Sequence, residues 1–512
     1  MDQSDLLADV SRPGTWPGFA AMCLGMFMAI LDIQVVVTSL PVIQDALEIG
    51  ADRMSWIQTA YLIAEVIAIP LTGYLTRALT MRGLFVIATG VFTIASIACA
   101  VSVGFTSLVV SRIIQGFAGG VLIPLVFSAV FLLFPPRRQM LPTTAAGLLA
   151  VLAPTLGPVV GGWITDSYSW RWLFLINVVP GVVAILVAAL SLKPDQPRLD
   201  ILRKLDWPAI ALLILSLASL EIALKEAPER GWTSGMVLGL LAMFIIAGLS
   251  FAWLTLARTR PVVDLSLLAD RNFAIGCALS FTLGMGLFGS TYLMPFFLAF
   301  VRNHPAFEIG KIMLVTGIAQ LIAAPIAVQL ERRVEARILT AVGFIVFAAG
   351  LAMSCAQTRE TDYAQMFWPQ VVRGLALMLC LLPPTRLALA HLDPDKVGDG
   401  SSLFNLMRNL GGAIGLALID TVVFSRGPDY AQAIMDKVKD GDPATASLLG
   451  LSVEELPSPG DPMGFMSISG DIEQLSVTWA INDAWAMLAL FTVIGLLSLL
   501  LARREQASRV PP

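Results

Sequence analysis

The chain has 512 residues, 57% of them hydrophobic and 14% charged, with a formal net charge of −4 and a mean hydropathy of +0.79. A water-soluble domain is roughly 45–50% apolar and about 25% charged, so a soluble globule of this size is excluded and the solvent for most of the chain is lipid. The small net charge marks no nucleic-acid partner, because the charges fall in loops.

The chain opens with MDQSDLLADVSRPGTW (1–16), which is acidic and polar rather than basic. The apolar stretch after it is too long for a signal h-region, contains Asp32 and has no small-residue cleavage site, so it is expected to stay as a spanning helix. At about 20 apolar residues per crossing, the chain divides into fourteen spans. They cover 18–40, 54–76, 83–103, 106–131, 141–165, 172–192, 207–225, 235–257, 273–300, 309–330, 338–356, 365–390, 401–424 and 480–502. An even number puts both termini on one side. With cytoplasmic termini, the inside segments hold 20 of the 33 Lys and Arg and the outside segments 10, the bias of a membrane protein so oriented. The remaining three, Arg112, Arg373 and Arg408, lie within spans. The stretch 426–478 then faces outward and is expected to be a partly ordered acidic loop.

A repeat is visible in the loops and helix motifs. Pro70, Arg77 and Arg82 have the same spacing as Pro325, Arg332 and Arg337. Gln115-Gly116 corresponds to Arg373-Gly374, and GPVVG (157–161) to GGAIG (411–415). The offsets of 255, 258 and 254 residues point to a duplicated six-helix unit with two helices between the copies. The expected domains are a six-helix bundle over 1–195, two inserted helices over 196–262 and a second six-helix bundle over 263–512.

A charge inside lipid costs roughly 2.5–3.5 kcal/mol on insertion scales, which makes it a functional candidate. Four acids qualify: Asp32, Glu65, Glu221 and Asp420. Gln58, Tyr61 and Glu65 share one stripe of the second span, and Arg112 and Gln115 one of the fourth. Asn405, Arg408, Asn409 and Asp420 lie roughly along one side of the thirteenth. With Gln34 of the first span, these residues either line a substrate cavity or glue helices together by hydrogen bonds. Asp32 falls near mid-membrane and is the first choice of proton carrier, because desolvation favours a neutral carboxyl while a nearby cation favours the carboxylate. Arg112 is the cation expected to switch it, and Glu65 the second carrier. Glu221 has Lys225 four residues on, so an ion pair or snorkelling explains it more simply. The fifth span contains Pro154, Gly157, Pro158, Gly161 and Gly162, a pattern for a kinked, closely packed hinge or seal.

The two histidines, His304 and His391, fall in or near loops, and all five cysteines lie in apolar stretches. Neither a metal site nor a disulfide nor a cofactor is expected. No phosphate-binding GxxxxGK[ST] or HExxH motif occurs, and there is no room for an ATPase domain, so the chain is read as a carrier driven by an ion gradient and not an enzyme.

LDIQVVVTSLP (31–41), SRIIQGFAGG (111–120), GPVVGG (157–162) and WRWLFLINVVPG (170–181) together resemble the major facilitator superfamily, in its fourteen-helix drug:proton antiporters of the EmrB/QacA type. VVDLSLLADRNFAIGC (262–277), SSLFNLMRNLGGAIG (401–415) and INDAW (481–485) look like the EmrB branch. The resemblance implies proton-coupled multidrug efflux across a bacterial inner membrane, with a periplasmic membrane-fusion adaptor and an outer-membrane channel as partners. It also implies the first-helix acid at Asp32, the fourth-helix arginine at Arg112 and the antiporter motif at 157–162. One departure stands out. Arg77 occupies the place where the superfamily usually has aspartate, which puts the acid-based latch between the halves in doubt. Export of apolar or amphipathic compounds is the first expectation. The alternative is proton-driven export of one metabolite, such as a siderophore, fatty acid or lipid, and embedded arginines would suit an anionic one. One charge crossing 100 mV supplies about 2.3 kcal/mol, more than the ~1.4 kcal/mol of a tenfold concentration ratio.

Overall fold

A computed structural model describes residues 14–37, 39–49, 54, 56–194, 196–203, 205–258, 261–458 and 461–501; the N-terminal segment and the C-terminal tail used in the orientation argument lie outside them. Fourteen helices match the fourteen expected spans in order. They are α1 (Thr15–Val37), α2 (Trp56–Leu79), α3 (Met81–Ala100), α4 (Phe105–Leu133), α5 (Met140–Ser167), α6 (Val178–Ser191), α7 (Trp207–Arg230), α8 (Gly235–Leu256), α9 (Arg271–Phe300), α10 (Ala306–Glu331), α11 (Ala336–Ala352), α12 (Tyr363–Leu389), α13 (Pro394–Lys439) and α14 (Pro462–Leu497). Thirteen of these segments are long and apolar enough to cross a bilayer, α6 together with the turn Trp172–Leu175 before it. The other, α11, is apolar with 17 residues, about 25 Å at 1.5 Å per residue. Helices are the form the solvent demands, because every backbone donor and acceptor in lipid must be met within the segment.

The side chains sort into two bundles. Phe85, Phe92, Phe127 and Phe174 lie in the core of α1–α6, and Phe297, Phe344, Phe347 and Trp485 in that of α9–α14. The duplication read from the sequence has a spatial counterpart. A Cβ on Gly116 would strike the α2 backbone at Tyr61, and one on Gly374 the α10 backbone at Thr316. A Cβ on Gly157 would strike α1 at Gln34, and one on Gly411 would strike α9 at Phe281. In each bundle, therefore, the corresponding glycines admit the bundle's own first and second helices. The bundles meet at two places, α2 against α13 and α5 against α10. Exchanging each helix for its repeat mate turns one interface into the other, as expected for repeats related by an axis along the membrane normal. At the second interface Gly310 lies against the α5 backbone at Val159, and α5 runs unbroken through Pro154 and Pro158.

The inserted pair packs outside the first interface. Leu213 and Leu217 of α7 join Val66, Ile67 and Ile69 of α2 and Leu403 of α13 in one cluster. Helix α8 shows Leu238, Ile245, Ile246, Leu249 and Trp253 to its surroundings, the surface that lipid would cover.

Two expectations need correction. The stretch 426–478, read as partly ordered loop, is largely helical: α13 continues to Lys439, a short helix spans Pro443–Leu449, and α14 starts at Pro462. A 46-residue helix is about 70 Å long, well over twice the ~30 Å hydrocarbon layer, so α13 projects beyond it. Its polar composition hides an amphipathic stripe in which Ala431, Ile434 and Val438 pack on Ile468, Ile472 and Leu475 of α14. The second correction concerns the latch. Arg77, at the end of α2, forms an ion pair with Asp399 in the first turns of α13. Beside it the Gly73 N–H donates to Ser402 Oγ at 3.2 Å, and a Cβ on Gly73 would collide with Asp399. An acid-based contact between the halves is therefore present, with its acid on the second bundle and its base on the first. Arg77 is about one-third exposed, so screening holds the pair near ~1 kcal/mol. Arg77→Asp, which sets two acids face to face, is expected to cost about 1 kcal/mol of stability, read as a lower thermal unfolding midpoint in detergent. The exchanged double variant Arg77→Asp/Asp399→Arg is expected to recover most of it; a double no better than the single would deny the latch.

Candidate functional site

Asp32 sits inside the first bundle, met by two donors from α4 and one from the turn before α6, and is 1% exposed. Its Oδ2 is ion-paired with Arg112 Nη1 of α4. Its Oδ1 accepts from Gln115 Nε2 at 3.0 Å and from Asn177 Nδ2, on the turn before α6, at 2.6 Å. Gln115 Nε2 also donates to Ser96 Oγ of α3 at 2.8 Å, and Gln115 Oε1 accepts from Arg112 Nη1 at 2.8 Å. The guanidinium lies 4.2 Å from the Tyr61 ring centroid, and its Nε donates to the Ile57 carbonyl at 3.3 Å. The Tyr61 hydroxyl donates to the Ala29 carbonyl at 3.1 Å. Arg112 Nη2 has no partner. A proton placed on Asp32 would remove the charge that holds Arg112 and leave a guanidinium seeking an acceptor, which is the raw material of a switch.

The two best carrier candidates therefore sit in different settings. Asp32 is internal to one bundle. Glu65 lies on α2 at the interface, 3% exposed, and its Oε1 accepts from Asn409 Nδ2 of α13 at 3.3 Å. Any rocking of the bundles changes that bond.

The residues expected to line a substrate cavity are dispersed. Gln115 and Tyr61 belong to the Asp32 network. Gln34 packs on Gly157, and Gln58 Oε1 is buried with no partner. Arg408 Nη2 donates to Asn405 Oδ1, its guanidinium is 5.4 Å from the Phe127 ring centroid, and Asn405 Nδ2 donates back to the Ser401 carbonyl at 2.8 Å. Asp420 Oδ1 accepts from the Tyr292 hydroxyl at 2.8 Å. Asp420 thus ties α13 to α9, Asn405 bonds only within α13, and Asn409 reaches across the bundle interface.

Glu221 departs from the simple reading. Lys225 pairs with Glu226 at 2.7 Å instead and covers the Trp56 ring at 5.0 Å. Glu221 is 7% exposed, its Oε1 has no partner, and it is close enough to Glu65 for the two charges to interact. The inserted helix thus brings an acid to the interface rather than to the headgroups.

Sequence reasoning missed Asn177 and Ser96. Asn177 interrupts the apolar run 172–190 as its single polar side chain, a signal that was available. Ser96 gave none, since a serine in a membrane helix commonly bonds its own backbone, as this one also does to the Phe92 carbonyl at 2.9 Å.

Comparison with known proteins agrees with this architecture. The family described as Major Facilitator Superfamily matches residues 22–416. The chain is 38% identical over 407 residues to the colistin resistance protein EmrB of Acinetobacter baumannii, covering 79% of this chain and 80% of that protein. It is 32% identical over 427 residues to the multidrug export protein EmrB of Escherichia coli K12, covering 83% of each. Among solved structures, the human organic anion transporter MFSD10 (TETRAN) superposes with a TM-score of 0.62 over 95% of this chain and 100% of that one, at 13% identity, a likeness of fold.

Removing Arg112 strands a buried carboxylate, at a cost of about 3–5 kcal/mol unless that carboxylate takes up a proton. Arg112→Met is therefore expected to lower the thermal unfolding midpoint in detergent clearly. Arg112→Met/Asp32→Asn, which removes both charges, is expected to lie nearer the parent. Additive losses would show that the two groups are not coupled.

Proposed function

Because the chain belongs to the major facilitator superfamily, as the match over residues 22–416 and the 38% identity across most of a relative establish, we propose that it exports apolar or amphipathic compounds, drugs among them, by exchange for protons across a bacterial inner membrane. The observation that carries the proton part is the Asp32 carboxylate, sealed in the first bundle with a single guanidinium as its counter-charge. Such a group is costly to keep in lipid, and a reversible proton on it gives a reason to keep it.

In the proposed cycle, a proton from the outer side neutralises Asp32 and releases Arg112. The freed guanidinium draws on Gln115 and on the carbonyls near α2, and α2 carries Glu65 and the latch residue Arg77. Glu65 reports the same event at the interface, where its bond to Asn409 joins the bundles. Rocking about the α2–α13 and α5–α10 contacts then turns the space between the bundles from one side to the other. With cytoplasmic termini, as the distribution of Lys and Arg supports, the Arg77–Asp399 latch closes the cytoplasmic side. The resemblance to the EmrB branch adds a periplasmic adaptor and an outer-membrane channel as partners.

The test is efflux of a fluorescent drug from energised cells. A protonophore is expected to abolish efflux by the parent. Asp32→Asn is expected to lower proton-driven efflux at least tenfold at equal protein level, with drug binding to purified protein retained. Full efflux by Asp32→Asn at neutral pH would remove Asp32 from the proton path.

A further inference from the structure

The two bundles treat their buried arginines in opposite ways. Arg112 has Asp32. At the repeat offset of 255 residues, the place of Asp32 falls on Leu287 of α9, an apolar residue. The second bundle buries two arginines; Arg408 has Asn405, whereas Arg373 on α12 stands where the repeat puts Gln115 and is 3% exposed. Among the described residues no carboxylate is within ion-pair distance of it. Its Nη2 touches only the Met294 sulfur at 3.6 Å, a weak acceptor, and its Nε and Nη1 have no partner. The Trp485 ring lies 4.6 Å from the guanidinium and gives the cation its one substantial stabilising neighbour.

More unpaired polar atoms lie close by. Trp485 Nε1, Gln370 Nε2 and both side-chain polar atoms of Gln320 are buried and unpaired. Gln370 Oε1 is occupied, accepting from Thr316 Oγ1 at 3.0 Å. Unpaired buried polar atoms are normally few, and each calls for an explanation. Two cavities meet at Arg373, with Trp485 on the larger and Gln320 on the smaller. The larger, about 170 Å³, is bounded by Met294, Met353, Met366, Pro369 and Trp485. Its polar lining is Ser354, Gln357, Thr358, Thr361 and Gln365. The smaller, about 20 Å³, reaches between the bundles to Thr155 of α5 and includes Gln320.

We infer that Arg373 is the anion-binding residue of the second bundle, taking the carboxylate of an amphipathic organic acid whose apolar body occupies the larger cavity. Arginine suits this role because its planar fork presents two parallel N–H groups to one carboxylate. The methionines that line the cavity are soft and unbranched, so they accommodate bodies of different outline. The size is right for a single ring, since a dry cavity of about 150 Å³ holds benzene. The inference deepens the export reading and rests on it for the word substrate. It gives the bundles separate tasks, with the proton on Asp32 in the first and the acid on Arg373 in the second. The smaller cavity joins the second site to the interface that moves.

The test is equilibrium binding of radiolabelled benzoate to the full chain in phosphatidylcholine nanodiscs, with benzyl alcohol as the uncharged comparator. The parent is expected to bind benzoate saturably, Arg373→Gln at least tenfold more weakly, and Arg373→Lys in between, while benzyl alcohol binds all three alike. Equal benzoate affinity in the parent and Arg373→Gln overturns the assignment, as does a parallel fall for benzyl alcohol. If Arg373→Gln does not fold, the parent decides: benzoate is expected to raise its unfolding temperature saturably and by more than benzyl alcohol at the same concentration, and a benzoate effect no larger than that of benzyl alcohol overturns the proposal. Phosphatidylglycerol in the discs separates the sources of anion. Loss of benzoate binding there would assign the site to a lipid headgroup and overturn the substrate role. Binding is read without transport, so a failure of proton-driven efflux would sink the export reading and leave this result interpretable.

Discussion

The Asp32–Arg112 pair has been removed from water on every side, and much of the first bundle is arranged around that fact. In a medium without water the attraction between two charges is strong, but so is the loss of hydration, and a buried pair is tolerated only when its remaining donors and acceptors are met. Gln115 and Asn177 meet the carboxylate from α4 and the turn before α6, Ser96 of α3 holds Gln115 in place, and of the guanidinium only Nη2 is left over. One carboxylate thereby fixes the mutual register of four helices. A buried ion pair is weak evidence for stability, since well-packed apolar residues commonly do as well. Its presence argues for chemistry that apolar residues cannot perform.

The two bundles share a steric plan and differ in polar contents. The glycine contacts are repeated, Gly116 with Gly374 and Gly157 with Gly411, because close helix approach in lipid depends on small residues whatever the bundle does. The polar groups are not repeated. The first bundle closes its network around an acid, whereas the second leaves Arg373 and its neighbours unpaired beside open space. Between them, Glu65 and Asn409 are in contact across the moving interface, and α7 adds Glu221 from outside the duplicated plan. Steric conservation with polar divergence is what a rocking carrier requires: the hinge surfaces must match, and the two sites need not.

The latch shows how a local departure can be repaired at a distance. Arg77 breaks the expected acidic pattern of its loop, and the sequence alone gives no reason to look 322 residues further on for the acid. Asp399 supplies it, so an ion pair joins the bundles there all the same.

Much was legible from the sequence. The fourteen apolar segments follow from hydropathy alone, and hydropathy, spacing and the cost of charge in lipid are also what single out Asp32, Glu65 and Arg112 as candidates. These are properties of single segments, or of two segments compared, and lipid enforces them on each helix independently. What only the tertiary structure decided is the choice of partners. That Asn177 and Ser96 complete the Asp32 site, that Lys225 turns to Glu226 and leaves Glu221 alone, and that Arg373 has no acid depend on how helices distant in sequence are rotated and staggered against each other. The length of α13 was hidden for a related reason. Beyond residue 425 its stability comes from an amphipathic face packed on α14 and not from hydrophobicity along the segment, and such a face has meaning only when its partner is in place.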